Sequence, residues 1–357
     1  MNQLLKVIRS LGPGLLFAGA AIGVSHVVQS TRAGAEFGVF LIWAVLLANL
    51  FKYPFFEFGP RYTLATGETL LDGYKRLGNW VVVTILVVSL LTIFTVQAAV
   101  TAVTAAIAEY ILPLDGPPFL WPALLLAICL TILAIGKYAI LDKSIKIILL
   151  ALAISTVAAL AIASFNYTPP KEAISISFDW DNAAHIGFLI ALMGWMPAPL
   201  DLSVWHSLWA KEKQKITGDF SIKTALFDFR VGYIGTAILA LCFLGLGALV
   251  MYGSGEAFPS SGGAFAKMLI ELYTENLGSG AYILIAIAAF TTMFSTTLTC
   301  FDAIPRVLSK ITLVIGNRDS KNQDNLYWIY IIVLTIGTLV LIAVSYTHLR
   351  AHETHND

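Results

Sequence analysis

Nine long stretches of the chain consist almost entirely of apolar residues. A helix needs about 20 such residues to cross the hydrocarbon of a bilayer, and inside lipid its backbone polar groups must be satisfied within the segment. The stretches are too uniformly apolar for the alternating strands of a membrane barrel. The pattern therefore predicts an all-α polytopic membrane protein with about nine spans, near residues 12–31, 37–58, 80–111, 119–136, 143–165, 186–208, 231–252, 279–302 and 327–345.

The composition excludes the soluble and the disordered classes of protein. Of the 357 residues, 58% are hydrophobic and only 12% are charged, whereas soluble domains carry about 25% charged residues and disordered chains have low hydrophobicity. The 22 basic and 22 acidic residues balance, so the chain offers no basic field to nucleic acid. The lipid bilayer is the predicted environment, and nucleic acid is not a predicted partner.

Basic residues are sorted between the two sides of the predicted bundle. With the N-terminus inside, 3 of the 22 Lys and Arg residues (Arg32, Lys171 and Lys267) fall on outside loops, and 17 fall on inside segments. Such an excess marks the cytoplasmic side, so we predict a multi-pass protein of the cytoplasmic (inner) membrane with a cytoplasmic N-terminus. The inside set is Lys6, Arg9, Arg61, Lys75, Arg76, Lys137, Lys143, Lys146, Lys211, Lys213, Lys215, Lys223, Arg230, Arg306, Lys310, Arg318 and Lys321.

The membrane domain is predicted to occupy residues 1–344. After Val344 the sequence reads SYTHLRAHETHND, which cuts the ninth span short and looks like translated adapter sequence. We expect residues 345–357 to be a non-native tail, to be set aside as fusion scars are, and the natural chain to be longer.

Two spans carry helix breakers and polar residues near their middle. The first contains Gly23, Ser25 and His26, and the sixth contains Pro197 and Pro199. Two prolines this close remove two helical hydrogen bonds and are expected to unwind the helix. Breaks and ionisable residues are tolerated in lipid where they line a cavity, so these positions are candidates for a functional site.

The recurrence of a break five spans later predicts an inverted-repeat transporter. The first repeat would cover about 12–165 and an incomplete second repeat about 186–344. In that architecture the site lies at the midplane between two discontinuous helices, where freed carbonyls coordinate a cation. The alternative is that Gly and Pro are simply more frequent in membrane helices.

The eighth span adds a dense run of hydroxyl side chains. We single out Ser295, Thr296 and Thr299 as a face of the translocation path or a second cation site. The alternative is that these hydroxyls bond back to their own helix or pack against neighbours.

At these residues the chain resembles the Nramp family of divalent metal-ion transporters, whose fold is of the LeuT type. The GPG at 12–14 and the AGAEFG at 33–38 match the first-helix frame of the family without a gap. RYTLATGETL at 61–70 is similar to its cytoplasmic signature, and Met196-Pro197 and the Ser/Thr-rich eighth span follow in the expected order. The resemblance implies a LeuT-like fold with discontinuous helices 1 and 6 and alternating access.

The chain departs from the family pattern at the residues that bind metal. Residues 23–26, Gly-Val-Ser-His, stand where the family has Asp-Pro-Gly-Asn, and Ala198-Pro199 stand where it has His-Asn. Met196 keeps the position of the thioether ligand. Val96 and Ala99 replace the Asp and Glu of the third helix in proton-coupled members. The familiar proton route is therefore not expected.

These departures predict an altered cation site between helices 1 and 6. An imidazole and a thioether suit a soft or borderline cation better than magnesium or calcium, and Asp201 would restore the missing negative charge. The predicted metal ligands are His26, Met196 and Asp201. The wider set that contacts the ion or substrate adds the backbone near Gly23 and Met193 and the side chain of Ser25.

Alternative roles stay open for the ionisable residues. Asp201 would equally serve as the partner of His26 in a protonatable pair or as the cap of the second half of the sixth helix. His26 would also fit a hydrogen-bonded packing role, and His206 is expected to have a structural role at the membrane interface.

The sequence thus predicts a secondary-active transporter for a manganese- or iron-like divalent cation, not an enzyme. No catalytic constellation and no nucleotide-binding GxxxxGK[ST] loop is present, so transport would be driven by a gradient. The cation is cargo and no cofactor is expected; a monomer is compatible with the sequence. The alternatives are a sodium- or proton-coupled transporter of another small solute, and a membrane sensor that does not transport.

Overall fold

A computed structural model describes residues 11–112, 116–117, 119–167, 177–217, 221–253, 264–265, 267–268, 270–271, 274, 282–317 and 323–353. Lys6, Arg9, Lys171, Arg318 and Lys321 of the charge count, the start of the span 279–302 and residues 354–357 of the expected tail lie outside these ranges.

Every regular element in the described ranges is helical. Eleven α-helices are present there, together with a π-helical segment, Val24–Ser30, between the first two. The α-helices are α1 (Pro13–Ala21), α2 (Thr31–Phe37), α3 (Ile42–Thr66), α4 (Leu70–Leu77), α5 (Asn79–Ile111), α6 (Leu120–Phe165), α7 (Ala183–Trp195), α8 (Leu202–Thr217), α9 (Ile222–Val250), α10 (Tyr282–Gly316) and α11 (Gln323–Glu353).

Five of the described helical segments are long and apolar enough to cross a membrane. Large apolar side chains such as Phe51 and Leu91 are exposed on the outside of the bundle, as expected of surface that faces lipid tails rather than water. The all-α fold class predicted from the hydrophobic pattern is confirmed. The five segments are Pro13–Phe37, Asn79–Ile111, Ile145–Phe165, Ile222–Val250 and Gln323–Ser345.

The two predicted helix breaks are both present. We call α1, the π-helical segment and α2 the first broken helix, whose regular α-helix stops at Ala21 before Gly23. We call α7, residues 196–201 and α8 the second broken helix, whose regular structure stops at Trp195. The discontinuity of helices 1 and 6 that the sequence predicted is therefore confirmed.

The fourth and fifth predicted spans are joined without a break. We expected residues 137–142 to form a loop, but α6 runs through them from Leu120 to Phe165. No proline or glycine occurs within 137–142, so nothing there interrupts the i→i−4 hydrogen bonds. At 1.5 Å per residue, a helix of this length extends about 69 Å, more than twice the ~30 Å hydrocarbon thickness.

One short helix was missed in the sequence. The helix α4 begins with a capping box, in which the Thr69 hydroxyl and the Asp72 carboxylate each bond the other's backbone N–H. Lys310 Nζ lies 2.6 Å from Asp72 Oδ1 and ties α4 to α10, which continues past the predicted end at 302. Burial alone raises the pKa of Asp72, but its bonds to Lys310 and Thr69 outweigh burial and lower it.

The helix α9 is the support for both halves of the first broken helix. Gly14 and Gly232 let the backbones of α1 and α9 touch, because a Cβ on either would collide with the backbone of the other helix. Gly34 and Gly247 do the same for α2 and α9. The buried Asp228 accepts hydrogen bonds from the backbone N–H groups of Gly12 (2.9 Å) and Gly14 (2.7 Å) at the start of α1.

We predict that Gly232→Ala lowers the apparent melting temperature in detergent, because its methyl group would overlap the carbonyl of Gly14. Overpacking of this kind costs about 1–3 kcal/mol. Gly235→Ala on the same helix is the matched control, since no atom lies within 4 Å of its added Cβ. Equal melting temperatures for the two variants, measured by fluorescence thermal shift, would show that the α1–α9 contact is loose.

Candidate functional site

The first break leaves two backbone carbonyls without their helical partners. The N–H of Gly23 donates to Ala21 O and the N–H of His26 donates to Gly23 O, so the carbonyls of Gly19 and Ile22 lose the i+4 donors of a regular helix. Both carbonyl oxygens lie close to the Thr296 hydroxyl of α10, at 2.9 and 3.1 Å. A hydroxyl has one hydrogen, so Thr296 satisfies only one of them at a time.

His26 is completely buried next to this break and has a contact at each ring nitrogen. Nδ1 lies 2.8 Å from Ser25 Oγ, and Nε2 lies 3.1 Å from the carbonyl oxygen of Thr236 on α9. The Ser25 hydroxyl in turn donates to Ala21 O at 2.6 Å. These three contacts need three hydrogens, of which Ser25 supplies one. A neutral imidazole supplies one more. If that N–H at Nε2 donates to Thr236 O, the Ser25 hydrogen is left to serve either Ala21 O or Nδ1, so all three bonds form together only with an imidazolium.

The second break leaves carbonyls that are satisfied by a lysine. Pro197 has no N–H to donate to Met193 O, and the N–H of Leu202 donates to Pro199 O rather than to Ala198 O. Lys52 of α3 reaches this segment, and its ammonium group donates to the carbonyls of Met193, Gly194 and Ala198 at 2.9, 2.6 and 3.2 Å. The Met193 carbonyl, predicted to face the ion, is therefore bonded to an ammonium group.

Met196 and Asp201 lie at the two ends of the second break. The Met196 side chain is fully buried in an apolar cluster with residues of α3 and α9, among them Val45 and Leu244. Asp201 directly precedes α8, at the position of a helix cap, and its Oδ1 is buried without a hydrogen-bond partner among the described residues. Asp201 thus keeps a free acceptor at the second break.

The hydroxyl groups of the eighth span divide into two kinds. Ser295 donates to Thr292 O and Thr299 donates to Ser295 O, both within α10. Thr296 instead reaches the first break, and Thr297 meets Thr104 of α5 at 2.8 Å. Of the three predicted residues, Thr296 is the one whose contacts join α10 to another helix.

His206, expected to have a structural role at the membrane interface, packs inside the bundle, and its depth in the bilayer stays a prediction. His206 is fully buried, with its ring 5.8 Å from that of Phe17 and 5.6 Å from that of Phe229. Neither of its ring nitrogens has a hydrogen-bond partner. His206 lies near the start of α8, which begins at Leu202 and packs chiefly against α3 and also against α1.

No group of three or more His, Cys, Asp or Glu side chains within the described ranges lies close enough together to hold a metal ion. His26, Met196 and Asp201 therefore remain predicted ligands, spread along the two breaks. Sequence reasoning missed Lys52 and Thr236. An ionisable residue inside a span is itself a signal of function, and this signal at Lys52 was available; the carbonyl of Thr236 has no sequence signal.

Comparison with known proteins settles the family. The family model described as Natural resistance-associated macrophage protein-like (Nramp) matches residues 14–351. The chain belongs to the Nramp family. The resemblance seen in the first-helix frame is thus confirmed, and membership supports a membrane transporter for metal ions, a class distinct from enzymes, in which the metal is cargo.

The chain is also similar to one curated protein and to several solved transporter structures. The Nramp chain is 42% identical over 317 residues to an uncharacterized protein of Pasteurella multocida, a match that covers 87% of this chain and 72% of that protein. A manganese transporter mutant of Eremococcus coleocola superposes with a TM-score of 0.73 at 15% identity, over 98% of this chain and 72% of that one. A nucleobase-cation-symport-1 family transporter in a closed conformation gives 0.61 at 16% identity, over 93% and 72%. These two structures confirm the LeuT-like fold.

We predict that Ser25→Ala destabilises the Nramp chain, because it leaves Nδ1 of the buried His26 without a partner. Such a loss costs about 1–3 kcal/mol and would appear as a lower apparent melting temperature in detergent. Ser30→Ala, in the same π-helical segment, is the matched control, since its hydroxyl makes only a long 3.4 Å bond to Ser25 O. The role assigned to Ser25 fails if the two variants melt together.

Proposed function

We propose that this Nramp protein is a secondary-active transporter that moves a divalent cation of the manganese or iron class across the cytoplasmic membrane, with its N-terminus inside. The observation that carries the proposal is the unpartnered, buried Oδ1 of Asp201 at the second break. It would supply the anionic oxygen that the family's Asp provides and that Gly23, at the same position in the first break, lacks. Family membership and the sorting of basic residues support the proposal.

The proposed ligands are His26, Met196 and Asp201, with backbone near Gly23; the Met193 carbonyl, which the sequence also predicted as a ligand, is bonded to Lys52 in the described conformation. A carboxylate, an imidazole and a thioether together match a borderline transition metal better than a hard alkaline-earth ion. In the described conformation His26 is engaged by Ser25 and Thr236, so binding would require His26 to exchange one of these bonds for the metal. An imidazole binds a metal through an unprotonated nitrogen, so a neutral His26 would present one ring nitrogen to the cation and keep its N–H on the other.

Alternating access would follow from movement of the broken helices against the rest of the bundle. Each break separates two half-helices; both halves of the first broken helix pack against α9, and both halves of the second pack against α3. The cation would lie between the breaks and gain access to one side at a time.

We predict that His26→Ala and Asp201→Asn each lower saturable Mn²⁺ or Fe²⁺ uptake into proteoliposomes by tenfold or more, because the first removes an imidazole ligand and the second removes the negative charge of the carboxylate. The matched controls are His185→Ala and Asp181→Asn, which change the same residue types outside both breaks. Uptake by both site variants at the rate of the parent would show that the ligands are misassigned. Absence of saturable flux for every cation and solute tested would favour the sensor alternative.

A second candidate is a transporter of a small solute driven by sodium. The observation that favours it is the group of three oxygens formed by Thr296 Oγ1 and the carbonyls of Gly19 and Ile22. Carbonyl and hydroxyl oxygens at a broken helix are typical ligands of a coupling cation. One carbonyl of this group always lacks a hydrogen from Thr296.

For this candidate we predict that Thr296→Val abolishes sodium dependence of uptake while the variant keeps its fold, because valine has the same shape without the oxygen. Thr291→Val, whose hydroxyl bonds within α10, is the control and should behave as the parent. Uptake by the parent that is equal in sodium and choline buffers would exclude the sodium-driven alternative.

A further inference from the structure

The second break contains a complete binding site for a monovalent cation, and the chain fills that site itself. The lysine ammonium has three N–H donors, and the three carbonyls of Met193, Gly194 and Ala198 take one each. No carboxylate of the described ranges forms an ion pair with Lys52. The group is bound as a free cation would be, by neutral backbone oxygens.

The carbonyls are available because of the two prolines. In a regular helix, Met193 O would accept from residue 197 and Ala198 O from residue 202. Pro197 has no N–H, and the N–H of Leu202 is engaged with Pro199 O. An unpaired carbonyl in the membrane costs several kcal/mol, so these oxygens require a donor or a cation from elsewhere.

Lys52 lies on a part of α3 where an ammonium group needs polar partners. Its neighbours Phe51 and Phe55 are exposed apolar side chains on the lipid-facing side, where an isolated ammonium group is costly. Charge-assisted hydrogen bonds to three carbonyls offset that cost. Sodium and potassium ions carry the same charge and also bind clusters of backbone carbonyls.

We propose that the carbonyl cluster of the second break is a monovalent-cation site in which the Lys52 ammonium takes the place of a bound ion. The site belongs to the break itself, so it does not depend on which cargo the protein carries. The tethered charge keeps the break open in a fixed shape without any ion from solution. Removal of the ammonium group turns the cluster into a site that a free cation can occupy.

The test is the melting temperature of purified Lys52→Ala in detergent, at equal ionic strength, in choline, sodium, potassium or methylammonium chloride. We expect a loss of about 5 °C or more in choline and recovery of at least half of it with sodium, potassium or methylammonium. The parent should change much less between choline and the three cations. Lys223→Ala, an exposed lysine at the start of α9, is the matched control and should follow the parent.

Lys52→Met separates the charge from the aliphatic chain, because methionine fills the path to the carbonyls without supplying a cation. It should melt low in every buffer and show no recovery. Equal melting of Lys52→Ala in all four salts would overturn the proposal, as would a parent that responds to sodium as strongly as the alanine variant. If folded Lys52→Ala can be purified only in buffers that contain one of the three small cations, the proposal is supported. If Lys52→Ala cannot be purified in any of the four buffers while Lys52→Met can be, the proposal fails.

Discussion

The obligation of every backbone polar group inside lipid to find a partner governs the arrangement of this protein. A continuous helix meets it alone, and the two broken helices do not. Each break therefore depends on a side chain from a different helix: the Thr296 hydroxyl at the first and the Lys52 ammonium at the second. The start of α1 has the same need for its N–H groups, and the Asp228 carboxylate meets it. The candidate functional site lies at the two breaks, where these side chains bond the unpaired backbone groups.

The carbonyls of the two breaks are bonded by different kinds of donor. A hydroxyl is neutral and brings one hydrogen to two carbonyls, so the first break keeps an excess of acceptors. An ammonium group is charged and brings three hydrogens to three carbonyls, so these three carbonyls of the second break are satisfied. Asp201, at the end of that second break, keeps its Oδ1 as an acceptor with no hydrogen-bond partner in the described part of the chain. The first break thus keeps an unpaired carbonyl oxygen, and the second keeps an unpaired carboxylate oxygen.

The positions of the breaks could be predicted from the sequence, but their partners could not. Gly23, Pro197 and Pro199 act through their own backbone, so their effect on the helix can be predicted from the local sequence. The bond from His26 to Thr236 joins residues 210 apart and that from Lys52 to Gly194 joins residues 142 apart, and no local pattern specifies such pairs. The joining of the fourth and fifth spans was missed for another reason: charge in a segment suggested a loop, although nothing in it ends a helix.

The contacts of α9 hold both halves of the first broken helix and the break between them. Its first half is attached through Asp228 and Gly232, its break through the carbonyl of Thr236, and its second half through Gly247. From 228 to 247 these attachments run along about 28 Å of α9 at 1.5 Å per residue. The continuous helix α9 thus keeps the two halves of the first broken helix aligned. Either half can then swing only by detaching from α9 at its own level, while the other half stays in register.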